Sequence, residues 1–338
     1  MPSCGAVIHA PSGSCAEQFA KEKNIQFAVL EDVTQKARSD QEEQSEPQSE
    51  PLSEPARHDY DIDGTVLVKY HGPGGIVEIP EGISAIGVSA FESSDVASVT
   101  IPESVKEIGG RAFAFCKKLK SIKLSAGLNY IGNHAFYKCT GLTSIMLPNG
   151  ITTIGDYVFR NSGLKNVLIP ASVETIGEGA FSACSDLLEI QVEAGSTAFH
   201  SVDGVLFQAN TASLIGFPGG KTGAYVIPNG ITNIATHAFS ACSKLTDITI
   251  PAGVKHIRDW AFCDCTHLTK VAIPSSVSRI GEGAFYGCSE LTGMEIPKAV
   301  KTICKDAFAL CPKLKIHGFA GSAAEKYAKK KWIPFAAE

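Results

Sequence analysis

The chain has 338 residues and a formal net charge of -5 at pH 7; 44% of its residues are hydrophobic and 19% are charged. This length and composition allow a sizeable core and exclude a collagen-like or wholly disordered protein. No window is strongly basic, so the sequence predicts neither a nucleic-acid partner nor binding to an anionic membrane. No apolar run approaches the roughly 20 residues of a transmembrane segment, and Met1–Ala20 lacks the layout of a signal peptide.

One segment occurs near both ends of the chain. VIHAPSGSCAEQFAKEKNIQF, Val7 to Phe27, aligns without gaps with KIHGFAGSAAEKYAKKKWIPF, Lys315 to Phe335, and 11 positions are identical. This duplication indicates that the chain is built from repeated modules. Residues 31–57, which follow the first copy, are acidic and rich in Ser, Gln and Pro. They cannot bury enough apolar surface to fold, which predicts a disordered linker.

From Ile79 onward a unit of 22 or 23 residues recurs nine times, with one interruption after the fifth copy. The unit reads I-P-x-x-V-x-x-I-G-x-x-A-F-x-x-C-x-x-L-x-x-I-x. Its L-x-x-I-x-L-P part alternates apolar and variable residues, which predicts a strand that pairs in parallel with its copies in neighbouring coils. The phenylalanine is present in every coil and predicts a continuous buried spine. The spine consists of Phe91, Phe113, Phe136, Phe159, Phe181, Phe239, Phe262, Phe285 and Phe308.

Seven of the 11 cysteines occupy one register of this repeat, and the two other coils have Ser94 and Ser162 there. The serines indicate that the register requires a small side chain. Single cysteines one coil apart do not have the paired spacing of a zinc site, and parallel Cβ vectors suit a disulfide poorly. The pattern therefore predicts buried, unpaired thiols with no metal and no cofactor. Cys263 lies outside this register and is predicted to be the most exposed and reactive thiol.

Asp59 to Gly64, DYDIDG, copies the opening of a calcium-binding EF-hand loop. The twelfth position is Tyr70 rather than the bidentate Glu, so a hairpin that turns at Asp63-Gly64 is the better interpretation. Asp203-Gly204 also precedes a Val-Leu run, within the interruption of the repeat. There the apolar runs Val205–Phe207 and Leu214–Phe217 predict a β-hairpin that bridges the fifth and sixth coils.

The repeat resembles the leucine-rich repeat of BspA-like surface proteins, from Tyr60 to Phe335. The resemblance rests on the signature repeated nine times, on the insertion SVDGVLFQANTASLIGFP and on the closing segment GSAAEKYAKKKWIPF. The predicted fold is an α/β leucine-rich-repeat solenoid of about nine coils with a parallel sheet, one hairpin insertion and a C-terminal helical cap. In the cap, Ser322 is expected to begin a helix from Ala323 to Lys331.

The predicted organisation has six segments. They are an orphan cap-like segment (1–30), an acidic disordered linker (31–57), a first solenoid sub-block (58–192), a hairpin insertion (193–226), a second sub-block (227–316) and a C-terminal cap (317–338). The first segment is interpreted as the end of an upstream repeat block, in a longer protein or one whose start codon is placed too far downstream. Alternatively, it packs on the first coil as an N-terminal cap.

The sequence does not predict enzymatic activity. His134 and His237 share a register but lack an acidic or nucleophilic partner, so they are predicted to be ordinary surface residues. Two rows of variable positions are candidate binding surfaces, with simple solvation as the alternative interpretation. The sheet-face row contains Ser144, Met146, Asn166, Leu168, Glu189 and Gln191. The second row, just before the A-F pair, contains Arg111, His134, Tyr157, His237 and Trp260.

The resemblance implies a non-enzymatic adhesion module, displayed at the cell surface or secreted. Its partner would be a protein or another cell-surface or matrix macromolecule bound through the extended solenoid face. Two other functions remain open from the sequence: a structural spacer, and an accessory repeat module of a larger protein. The sequence specifies neither the ligand nor the oligomeric state.

Overall fold

The computed structural model describes residues 7–10, 26–29 and 59–338, which belong to two units divided between Ser53 and Glu54. In the first unit, β1 (Val7–Ala10) pairs in parallel with β2 (Gln26–Val29). The predicted linker at 31–57 lies outside the described residues, as do Cys4 and Cys15. The two units are therefore described separately.

The second unit is a stack of short strands. Before the insertion these are β3 (Tyr60–Asp63), β4 (Val66–Tyr70), β5 (Gly75–Glu78), β6 (Ala85–Ile86), β7 (Val96–Thr100), β8 (Glu107–Ile108), β9 (Ser121–Lys123), β10 (Tyr130–Ile131), β11 (Thr153–Ile154), β12 (Asn166–Ile169), β13 (Thr175–Ile176) and β14 (Glu189–Val192). The insertion contains β15 (Phe199–Val202), β16 (Val205–Gln208) and β17 (Ser213–Gly216). Then come β18 (Gly223–Val226), β19 (Asn233–Ile234), β20 (Leu245–Thr249), β21 (His256–Ile257), β22 (Lys270–Ala272), β23 (Arg279–Ile280), β24 (Gly293–Ile296), β25 (Thr302–Ile303), β26 (Lys315–Gly318) and β27 (Phe335–Ala337).

Most coils contribute a longer strand to one side of the stack and a two-residue strand to a second side. Equivalent residues pair in parallel from coil to coil, as the repeat predicts; for example, Ile131 lies opposite Ile108 on one side and Ile154 on the other. The solenoid has about 12 turns. It is longer than the nine signature copies because β5 precedes the first copy, β18 precedes the sixth and β27 follows the ninth.

The phenylalanine spine is confirmed, in two runs of stacked rings. Successive ring centroids lie 4.7 to 5.6 Å apart. Tyr70 stacks on Phe91 at the start of the first run, and Phe217 stacks on Phe239 at the start of the second, both at 4.8 Å. Phe217 comes from the insertion rather than from a signature coil, so the insertion restarts the spine.

The insertion has three antiparallel strands rather than the two of the predicted hairpin. The predicted apolar runs do form β16 and β17, but Asp203-Gly204 joins β15 to β16. On β16, Leu206 belongs to the core of the preceding coils, whereas Val205 and Phe207 belong to the core of the following coils. This strand therefore separates two hydrophobic cores, and Phe207 is buried between layers.

The C-terminal cap has the predicted helix, α1 (Ala323–Lys331), and the Ser322 side chain accepts a hydrogen bond from the Glu325 N–H. Tyr327 closes the spine: its hydroxyl accepts a hydrogen bond from the Phe308 N–H at 3.2 Å, and its ring packs edge-on against the Phe308 ring.

The strand pair of the cap has the same register as the strand pair of the N-terminal unit. Ile316 lies opposite Phe335, and their aligned residues Ile8 and Phe27 also lie opposite each other. This agreement supports the proposal that the N-terminal segment is a second copy of the cap.

Replacing Phe136 by Ala should lower the free energy of unfolding by about 3 to 5 kcal/mol, because the ring is fully buried between two stacked neighbours. Phe308→Ala should cost less, because Phe308 lies beside the terminal cap and fewer coils depend on it. Urea titrations of both variants give the comparison. Small and equal losses would contradict a shared buried spine.

Candidate binding surfaces

The sheet-face row is exposed along its length. Met146 is 85% exposed and Leu168 is 47% exposed, although both are large apolar side chains. Ser144 and Asn166 lie exposed beside them. Further along, the Gln191 side chain donates a hydrogen bond to the Glu189 carboxylate at 2.9 Å. The row thus combines an apolar centre with a polar continuation.

A groove of about 760 Å³ runs beside Met146 and Leu168, and Leu124, Pro148 and Pro170 also line it. It lies where the long-strand sheet is interrupted. Residues 143–146 form no strand and separate the sheet β5-β7-β9 from the pair β12-β14. The interruption of the sheet coincides with its most exposed apolar side chain, which repeat counting alone does not reveal.

The second row lies in an unusual backbone conformation. In every signature coil, the residue at this register has a positive φ between 54° and 60°. The left-handed region costs an L-residue roughly 1 to 2 kcal/mol, so glycine is expected there. Only two of the nine positions are glycine. The nine residues are Ser89, Arg111, His134, Tyr157, Gly179, His237, Trp260, Gly283 and Asp306.

The two glycines make room for the aromatic side chains before them. A Cβ on Gly179 would lie 2.7 Å from the Tyr157 ring, and a Cβ on Gly283 would lie 2.4 Å from the Trp260 ring. Tyr157 therefore crosses the fifth coil and reaches His237, with ring centroids 5.3 Å apart. The structure joins the two halves of the second row across the insertion, a contact that their sequence separation does not indicate.

The prediction that His237 is an ordinary surface residue is wrong. His237 is only 8% exposed because Tyr157 covers it and the Trp260 ring lies parallel, 6.4 Å away. Burial lowers the pKa of His237 to about 4, with a smaller contribution from Arg160. Its Nδ1 has no hydrogen-bond partner in the described structure. His134 is half-buried, and burial also lowers its pKa.

Arg111, the remaining member of the row, forms an exposed ion pair with Glu92. Two other cations lie over aromatic rings: Lys138 is 5.2 Å from the Tyr137 centroid and Arg160 is 5.5 Å from the Tyr157 centroid. Most of this row is therefore occupied with contacts inside the protein, in contrast to the sheet-face row.

The cysteines of the repeat register are buried and free, as predicted, and they also form hydrogen bonds. Each thiol donates to the carbonyl oxygen of a spine phenylalanine one layer earlier, over 3.0 to 3.7 Å. The thiol therefore contributes a hydrogen bond as well as a small volume, whereas Ser94 and Ser162 lie 3.4 Å from the thiols of the next coils, Cys116 and Cys184. Burial raises the pKa of Cys184 to about 11, which keeps this thiol protonated and unreactive.

The prediction that Cys263 is exposed is wrong. It is only 6% exposed, and burial, followed by the charge of Asp264, raises its pKa to about 12. It occupies the register directly after the spine phenylalanine, where the small residues Ala114, Ser182 and Ser240 are also buried. Among the described cysteines, Cys304 is the one with intermediate exposure.

The Asp59–Gly64 segment is part of the β3–β4 hairpin, with Asp63 opposite Val66. Across residues 7–10, 26–29 and 59–338, the structure contains no cluster of His, Cys, Asp and Glu that could hold a metal ion. In the same part of the chain, no helix is long and apolar enough to span a bilayer.

The family described as BspA type leucine-rich repeat region matches residues 75–198 and 217–325, in 6 copies. These ranges cover more than half of the chain, which therefore belongs to this family. A comparison with curated proteins found no match.

Several solved structures share the fold. A leucine-rich repeat protein from Eubacterium ventriosum is 27% identical, with a TM-score of 0.61 and 71% of each chain covered. A leucine-rich cell surface protein from Faecalibacterium prausnitzii is 26% identical, with a TM-score of 0.53 and coverage of 80% of this chain and 94% of the other. A leucine-rich repeat protein from Bacteroides ovatus is 25% identical, with a TM-score of 0.55 and coverage of 77% and 69%. Leucine-rich repeat proteins of this kind are typically interaction modules without enzymatic activity.

Replacing His237 by Phe should make the free energy of unfolding less dependent on pH below pH 7. The native pKa of about 4 lies below the usual 6.5, so the unfolded chain binds more protons between these values and wild-type stability falls as the pH is lowered. From pH 7 to pH 4.5 the wild type should lose about 2 to 3 kcal/mol that His237→Phe retains. Urea titrations at both pH values measure this difference, with the exposed His267→Gln as control. The same loss in all three proteins would contradict it.

Proposed function

We propose that this chain is a non-enzymatic binding and adhesion module, displayed at a cell surface, that binds a protein or another surface or matrix macromolecule through its sheet face. The observation that carries the proposal is the exposure of Met146 at 85%, beside Leu168 and a groove of about 760 Å³. Soluble proteins seldom expose contiguous apolar side chains without a partner for them.

The shape and chemistry of the groove favour a macromolecular partner. Apolar side chains and two prolines line it, together with the charged residues Glu103, Lys123 and Glu193. Protein interfaces likewise combine polar contacts with a few apolar anchors that supply most of the binding energy. The groove therefore fits an apolar anchor from the partner, with polar contacts around it.

Family membership supports the non-enzymatic and surface-displayed parts of the proposal. The Faecalibacterium prausnitzii relative is described as a cell surface protein. The thiols of the repeat register are buried, and His237, which has the most perturbed histidine pKa, is enclosed by aromatic rings. Neither group offers an accessible nucleophile or general base on the sheet face.

Replacing Met146 by Asp should abolish the apolar centre of the proposed interface. Because interface anchors contribute about 2 kcal/mol or more, affinity for any bound macromolecule should fall by about 30-fold or more. The measurement is biolayer interferometry of the full chain against an array of purified matrix proteins and matrix glycans.

Val226→Asp is the matched control, because Val226 is 65% exposed on a long strand but does not line the groove. Binding that survives Met146→Asp and is lost in Val226→Asp would contradict the proposed surface. No binding to any member of the array would favour the structural spacer instead.

A further inference from the structure

A second cavity, of about 360 Å³, lies at the junction between the fifth and sixth signature coils. Residues 176–179 form one wall, at the free end of the two-residue-strand sheet. The other wall is formed by Gln208 and Ile215 of the insertion, together with Asn233, Ala235, Thr236 and Arg258. The cavity exists because β17, rather than β13, pairs with β19. It is separate from the groove beside Met146.

The chain provides an internal reference for this cavity, because the hexapeptide IGEGAF occurs at 176–181 and again at 280–285. In the second copy, the Gly283 N–H donates to the Lys305 carbonyl at 3.1 Å, and the Ile280 carbonyl accepts from the Cys304 N–H at 3.0 Å. Each copy therefore has a donor and an acceptor aimed at the next coil.

In the first copy, neither bond to the next coil forms. The N–H of Ala235, which would pair with the Ile176 carbonyl, donates to the Leu214 carbonyl of the insertion instead. The Gly179 N–H and the Thr236 carbonyl, which correspond to the pair Gly283 and Lys305, have no bond to each other. The Gly179 N–H and the carbonyl oxygens of Ile176 and Thr236, which all line the cavity, therefore lack the coil-to-coil hydrogen bonds that the equivalent groups form in the second copy. Backbone groups in a folded protein normally find a partner.

Polar side chains of both charge signs surround these backbone groups. Glu178 lies on one wall and Arg258 on the other, and neither forms an ion pair in the described structure. Arg258 is oriented by a hydrogen bond from its Nε to the Asn233 side-chain oxygen at 2.9 Å. The Glu178 N–H donates to the Asp156 carboxylate at 2.8 Å, which fixes the backbone that carries the Glu178 side chain.

We propose that this junction cavity binds a small zwitterion of the α-amino acid class. The ligand ammonium group would donate to the Glu178 carboxylate and to the open carbonyl oxygens of Ile176 and Thr236. Its carboxylate would accept hydrogen bonds from the Arg258 guanidinium and the Gly179 N–H. Hydrogen bonds to charged groups are stronger than those between neutral groups, so a ligand with both charges matches this cavity better than a neutral polyol of similar size.

The test is isothermal titration of the full chain with the 20 common amino acids, followed by saturation-transfer NMR for each that binds. At least one should bind, and its N-acetyl amide, which has neither charge, should not. Glu178→Gln and Arg258→Gln should each weaken binding by about tenfold or more, because each removes a charged partner. Both side chains are exposed, so the variants should fold, and circular dichroism checks this.

Glu282→Gln is the matched control. Glu282 occupies the same position in the second IGEGAF copy, and its N–H likewise donates to an aspartate carboxylate, Asp259, at 2.8 Å. This variant should bind as tightly as the wild type. The proposal is overturned if no amino acid binds, if N-acetylglucosamine binds in their place, if the N-acetyl amide binds equally well, or if Glu178→Gln and Glu282→Gln behave alike.

Discussion

The structure depends on the hydrogen bonds that each coil forms with the next. Successive coils are joined at the two-residue strands and again beside the spine, where the Phe113 N–H donates to the Ala135 carbonyl at 2.8 Å. Each coil needs its neighbours in the stack to bury its phenylalanine. Stability is therefore a property of adjacent pairs of coils. The same bonds hold Arg111, Tyr157 and Trp260 in the left-handed conformation at a cost that an isolated turn would not sustain.

At each end of such a stack, and at any interruption in it, other residues must supply the contacts of the missing coil. Tyr327 does so at the C-terminal cap, by accepting a hydrogen bond from Phe308 and covering its ring. Phe217 does so in the insertion, by stacking on Phe239 where the fifth coil does not reach. At the junction the replacement is incomplete: β17 pairs with the sixth coil but leaves residues 176–179 open. The two candidate sites both lie where the regular pairing of coils fails.

The sequence predicts the periodic part of the molecule well, because each signature position has one physical use. The spine, the parallel pairing, the free thiols and the helix Ala323–Lys331 follow from residues that recur at a fixed spacing. The errors lie where contacts depend on the stack rather than on the coil. His237 is buried by Tyr157, which reaches it across Gly179, and Cys263 is buried at the register directly after the spine phenylalanine. One sequence signal for the contact between Tyr157 and His237 was available: a glycine occupies the same register one coil after each bulky aromatic residue. The cavity has no local signal, because the same hexapeptide is fully paired in another coil.

The central claim is that coil-to-coil hydrogen bonding, rather than local sequence, determines which groups are available to a ligand. Amide hydrogen exchange measured by NMR at Gly179 and Gly283 tests it directly, because both glycines lie in IGEGAF and both have a positive φ. Gly283 donates to Lys305 and should be protected, whereas Gly179 should exchange faster by about 100-fold or more. Equal protection of the two amides would contradict the account.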